Sequence, residues 1–219
     1  YPLDIEVEVA IMRQEARPPS VGSVTVETPH YLEQIVATFS HQARSSSHVN
    51  QHSGVSVRRS ISNLEVLCAN ALRRGLRAGE TVVVPRVSDL VAMAASSSGK
   101  IEIESLDDGR DGAIIESLVK ASVLTVFKDL VPFEQVRDVV SAFEEGIVAH
   151  TGETVSSAEL VSLLDSVPPL IVPVRTLTEG SESPAAVAAA IEFVLEGLHL
   201  SKRLNKDTGS TSSTYRGRG

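Results

Sequence analysis
Apolar residues recur at three- and four-residue intervals along almost the whole chain, the spacing of helix faces, and clusters of Pro, Gly and Ser interrupt them. The pattern predicts a mainly α protein. A first helix is expected over residues 3–16 on Ile5, Val9 and Met12. Arg17-Pro18-Pro19 ends it, because proline lacks an N–H and disfavours helix for the residue before it. A second helix follows Thr28 as cap and Pro29 in its first turn, with Tyr31, Ile35, Val36 and Phe39 on one face, before the polar stretch 44–53. The third carries the longest stripe, Ile61, Leu64, Leu67, Cys68, Ala71, Leu72 and Leu76, between Ser56 and Gly79. Residues 81–84 are β-branched and predict a short extended run, and Leu90, Val91, Met93 and Ala94 a fourth helix. Ile101 and Ile103 alternate with Glu102 and Glu104, as in a short strand or an extended connector.

From Asp111 a long helix is expected on Ile114, Ile115, Leu118, Val119, Val123, Val126, Phe127 and Leu130. Pro132 marks a kink or the start of the next helix, over residues 136–143. Ser156, Ser157 and Glu159 have the spacing of a helix cap before Leu160, Leu163 and Leu164, and Val167-Pro168-Pro169-Leu170 closes that helix. Ser183-Pro184 opens a last helix with the stripe Val187, Ala188, Ile191, Val194, Leu195, Leu198 and Leu204. After Lys206 the composition turns to Thr, Ser, Gly and Arg, which predicts a disordered tail over residues 207–219.

Charge divides the 219 residues unevenly: net −1 over residues 1–104, −11 over 105–200 and +4 over 201–219, for −8 in all. A general nucleic-acid binder needs a basic surface, so that class is disfavoured, and with it a helix-turn-helix reader using residues 56–77. The apolar runs at 170–174 and 185–191 fall far short of the roughly 20 residues that cross a bilayer. One cysteine, Cys68, forbids an internal disulfide; with no signal-like start, it points to a reducing cytoplasm. The chain starts at Tyr1 inside an amphipathic pattern, as a fragment lacking its upstream partner would.

Arg58 and Arg59 stand at the start of the third helix, where free N–H groups and the helix dipole already carry positive charge. Two readings follow. The side chains point to solvent, or an anion such as phosphate completes the site. Ser98-Gly99-Lys100 is not a P-loop, since GxxxxGK[ST] needs glycine at Ala94 and Ser or Thr at Ile101; without that cradle and its magnesium-binding hydroxyl the stretch cannot hydrolyse ATP unaided. His30, His41, His48 and His52 cluster in and after the second helix, but with Val49 following His48 there is no HExxH, and a solvated loop is expected. Cys68 lies on an apolar stripe and reads as a buried structural thiol. Asp107-Asp108, Asp111 and Glu144-Glu145 lack metal-loop spacing and read as a solvated acidic face. Arg216-Gly217-Arg218-Gly219 has too few charges to bind RNA.

Gly54-Val55-Ser56-Val57-Arg58 resembles the GxSxR stretch that opens the lid helix of AAA+ ATPases of the magnesium-chelatase I-subunit type. The likeness runs on through Asn63-Leu64-Glu65-Val66-Leu67, Ala69-Asn70-Ala71-Leu72-Arg73-Arg74, Val84-Pro85-Arg86-Val87-Ser88-Asp89-Leu90 and Ser98-Gly99-Lys100-Ile101-Glu102, about residues 1–104 in all. Residues 189–198 resemble the closing helix of a bacterial chelatase-like branch, often labelled sigma-54-interacting. The resemblance implies the end of the AAA+ large subdomain and a connector over residues 1–27, a helical lid over 28–104 and an acidic helical C-terminal domain over 105–206. It implies Arg58 as the sensor 2 arginine that reaches the nucleotide, with Arg59 as second candidate. ATP and Mg2+ would be held mainly by an upstream domain carrying the P-loop, in a ring with other ATPase subunits, acting on a von Willebrand A-domain partner. The alternative is a non-enzymatic helical adaptor.

Overall fold
The computed structural model describes residues 2–47, 49, 55–97 and 111–218. His48, His52, Gly54, Ser98-Gly99-Lys100, Ile101, Ile103 and Asp107-Asp108 lie outside these. The architecture is mainly helical, as the periodicity predicts, with nine α-helices among the described residues. Among the same residues no single helix is long and apolar enough to cross a membrane.

Helix α1 (Ile5–Glu15) starts on Asp4, whose carboxylate accepts from the N–H groups of Glu6 and Val7. Strand β1 (Thr25–Val26) precedes α2 (His30–Ser45). The expected cap at Thr28 is corrected: Pro29 holds the N-cap position and offers no side-chain acceptor, so the Thr28 hydroxyl lies instead 3.4 Å from Cys68 Sγ. Helix α3 (Val57–Ala78) ends where Gly79 turns left-handed at φ 70°, closing the last carbonyls with its own N–H and that of Glu80. Strand β2 (Val82–Val83) pairs parallel with β1, and a single 3-10 turn at Val87–Asp89 leads into α4 (Leu90–Ser97).

Helix α5 (Asp111–Leu130) is followed by α6 (Phe133–Glu144), with Pro132 at the N-cap of the second, so the proline begins a helix and does not kink one. Strand β3 (Val148–Gly152) comes next, then α7 (Ser157–Ser166), opened by the expected Ser156–Glu159 capping box. A 3-10 turn at Pro168–Leu170 joins α7 to the short α8 (Ile171–Leu177). Helix α9 (Pro184–Leu200) is buried from Ala185 to Leu198 and forms the axis of the molecule, packed against α5, α7 and α8. Leu204 falls beyond that helix yet is buried.

Two expectations are overturned. The tail is ordered: β4 (Asn205–Thr208) and β5 (Ser212–Arg216) form a hairpin whose second strand also pairs with β3, giving the antiparallel order β3-β5-β4. Its Ser and Thr residues tolerate an extended strand, and Tyr215, 1% exposed, anchors it to the core. The boundary at 104/105 also separates no cores. Ten of the sixteen residues of α2 are buried, too many for one face, so α2 packs on α1 and α3 and also along α5. Tyr31 of α2 stacks on Phe193 of α9 at 4.7 Å, and Phe127 of α5 meets the same ring edge-on at 5.8 Å.

Candidate functional site
The site predicted from sequence is the first turn of α3. Ser56 takes the N-cap position without a side-chain hydrogen bond, and no acidic residue stands in the first turn. Arg58 is exposed there and Arg59 half-buried. The dipole and free N–H groups of a 22-residue helix thus meet a basic surface, an arrangement suited to an anion.

What steadies this turn comes from three helices. Glu8 of α1 is fully buried, and Arg44, in the last turn of α2, grips it through two parallel bonds, Nη1 to Oε2 at 2.6 Å and Nη2 to Oε1 at 2.8 Å. The Arg44 Nε donates to the Val55 carbonyl at 2.7 Å, tying the segment before α3 to the same guanidinium. Ser60 of α3, also fully buried, donates to Glu8 Oε1 and lies 2.7 Å from Ser40 Oγ, while His41 Nε2 sits 2.9 Å from Glu8 Oε2. Burial acts upward on the Glu8 carboxyl, but the Arg44 guanidinium and the Ser60 hydroxyl outweigh it and hold the group below its usual range. Arg58 therefore projects from a rigid base.

A second buried network lies at the other end of α3. Asp89 accepts from Arg74 Nη2 at 2.9 Å, from the Arg86 N–H at 2.8 Å and from Asn70 Nδ2 at 3.1 Å. Arg86, 1% exposed, donates to the Val155 carbonyl at 2.7 Å and to Ser157 Oγ at 2.8 Å. These bonds fasten the segment after β2 to the start of α7. Burial, and then the neighbouring Arg74, pull the Arg86 guanidinium below its ordinary range. Within the stretch Val84–Leu90, Arg86 and Asp89 thus serve packing between the two halves.

The structure does not bring the other sequence candidates together. His30 contacts Glu6, Glu33 and Arg13, whereas His41 joins the Glu8 cluster. Cys68 is buried as expected, and burial pushes its thiol up. Asp111 and Glu144-Glu145 stand at the ends of different helices. Among the described residues no three His, Cys, Asp or Glu side chains converge as a metal-binding set.

The sequence reading missed Glu8, although its signal was present. Ile5, Glu8, Val9 and Met12 fall at i, i+3, i+4 and i+7, so the glutamate occupies the buried stripe of α1 and needs a cationic partner.

Comparison with known proteins returned no match among family models, curated proteins or solved structures.

Proposed function
We propose that this chain is the lid and helical extension of a magnesium-chelatase-like AAA+ ATPase, with Arg58 as its sensor 2 arginine. The observation that supports it is the exposed Arg58 on the first turn of the longest helix, held by the Glu8–Arg44–Ser60 cluster. A sensing arginine needs both an open approach for the phosphates and a base that transmits their pull. In this reading ATP binds mainly to an upstream domain carrying the P-loop and the Mg2+ ligands, and Arg58 adds one charge-assisted hydrogen bond from the lid. Such a bond is worth about 1.5–3 kcal/mol, or roughly tenfold to a hundredfold in affinity or rate. Because Arg86 and the common core fasten α7 and α9 to the lid, a pull on Arg58 moves the acidic helices too. The work would be remodelling of a partner, a von Willebrand A-domain protein among the candidates, by a cytoplasmic ring of such subunits.

The test is ATP turnover by a chain in which a P-loop domain precedes these residues. Arg58→Ala is expected to reduce turnover about tenfold or more without loss of folding, and Arg59→Ala to have the smaller effect. Unchanged turnover and nucleotide affinity in Arg58→Ala would remove the assignment. A non-enzymatic helical adaptor is the second reading. The continuous core favours it, since a lid that must swing is usually packed less closely against its neighbour. Partner binding indifferent to nucleotide would be its mark.

A further inference from the structure
A cavity of about 620 Å³, not lined by Arg58, opens between α4, α5, α9 and the β4–β5 hairpin. That is within the ordinary range for a small-molecule site. Its α4 and α5 walls carry Leu90, Val91, Val119 and Val123, and α5 adds the ion pair Lys120–Glu116 to the lining. The α9 wall carries two carboxylates one turn apart, Glu192 and Glu196, in a helix that is otherwise apolar apart from His199.

The two glutamates differ in one respect. Glu196 is satisfied, accepting from Lys206 Nζ at 2.8 Å and from the Tyr215 hydroxyl. Glu192, 1% exposed, accepts from the Ser88 N–H through Oε1 at 2.5 Å, but its Oε2 is buried without a partner among the described residues, as is the neighbouring Ser88 Oγ. A carboxylate oxygen orphaned in this way is costly unless something donates to it. Arg74 and Arg86 face Asp89, Glu80 and Glu192 in the adjoining network, so Glu192, when ionised, is a third carboxylate against two cations. His199 also lines the wall, with its Nδ1 3.2 Å from the Leu204 carbonyl.

We infer that this cavity binds a small amphiphilic cation, a primary ammonium group on an apolar chain or ring, with the ammonium on Glu192 Oε2 and Ser88 Oγ and the apolar body against α4 and α5. The ammonium offers three donors where the wall offers unused acceptors, and it balances the charge of an ionised Glu192. This site is independent of the ATPase reading and stands or falls separately from it.

Burial pushes the Glu192 carboxyl above its usual range, against the opposing pull of Arg86 and the Ser88 hydrogen bond. Facing it are Asp89 on the 3-10 turn, Tyr31 of α2, Tyr215 of β5 and Glu196 on its own helix, and the cavity is lined further by His199 of α9, Lys206 of β4, and Glu116 and Lys120 of α5. A cation favours the ionised carboxylate, so its affinity rises with pH as Glu192 loses its proton.

The experiment is calorimetric titration of the full 219-residue chain with hexylammonium chloride, 1-hexanol and sodium hexanoate. Saturable one-to-one binding of hexylammonium is expected, about tenfold or more tighter than hexanol and rising with pH, with no binding of hexanoate. Glu192→Gln should lower hexylammonium to the level of hexanol while thermal unfolding shows the fold retained. Ala95→Phe, at the exposed rim of the cavity, should weaken both ligands. Should Glu192→Gln not fold, the wild type decides alone: a tenfold preference that rises with pH supports the site, and a flat profile overturns it. No saturable binding, equal binding of the alcohol, or a preference kept in folded Glu192→Gln also overturns it.

Discussion

Glu8 illustrates how a single buried charge organises a surface. Fully enclosed, it is acceptable only because Arg44, Ser60 and His41 surround it, and those three bring the C-terminal end of α2 and the first turn of α3 onto α1. Replacing it with Gln leaves the Arg44 guanidinium without its counter-charge, and the expected loss of stability is about 3 kcal/mol, measured by denaturant unfolding at neutral pH. The pH dependence has a definite sign. With its folded pKa held below the ordinary value of 4.5, Glu8 contributes stability that is fully present above about pH 4.5 and is lost as pH falls through the folded pKa. Wild type should therefore lose more stability than Glu8→Gln between pH 5 and pH 3, and parallel profiles would show that the pair contributes nothing. Arg58 and Glu192 belong to this scale too: no acidic residue stands in the first turn of α3 beside Arg58, and among the described residues nothing donates to Glu192 Oε2.

At the scale of elements, α9 is the helix on which the others depend. Gly197 lets α5 approach it closely: a Cβ there would stand 2.1 Å from Cδ2 of Phe127, itself buried and packed on Phe193. Gly197→Ala is expected to destabilise by about 1–3 kcal/mol through overpacking, more than any gain in helix propensity returns. A thermal midpoint unchanged or raised would show that Phe127 yields easily. Helices α1, α3, α5, α7 and α9 were legible from periodicity, proline and glycine because each buries a face whose spacing is local. Strand β3 was not, since it pairs with β5 across 60 to 68 positions, and the hairpin was not, because its run of Ser, Thr and Gly imitates a disordered tail. Only Tyr215, the lone aromatic in that tail, hinted at an anchor.

Across the whole molecule, the halves that differ in charge share one core, running from Val9 and Met12 through Tyr31 and Phe39 to Phe193 and Tyr215. Residues 1–104 alone would expose the α5-facing side of α2 and leave Arg86 without Val155 and Ser157, so they are not expected to form a native fold. Amide NMR checks this, and a well-dispersed spectrum from residues 1–104 would restore an independent lid. The sequence by itself determined the helical class, most helix limits and the exposed basic start of α3, because periodicity, caps and helix ends are set by neighbours within a few positions. It also held the traces of the buried glutamates, as charges inside apolar stripes at Glu8, Glu192 and Glu196. Which cation each one meets, where the chain folds back as a sheet, and that two regions of different charge form one body were decided only in three dimensions. Those outcomes depend on desolvation and packing between residues far apart in the chain, and no local pattern encodes the partner.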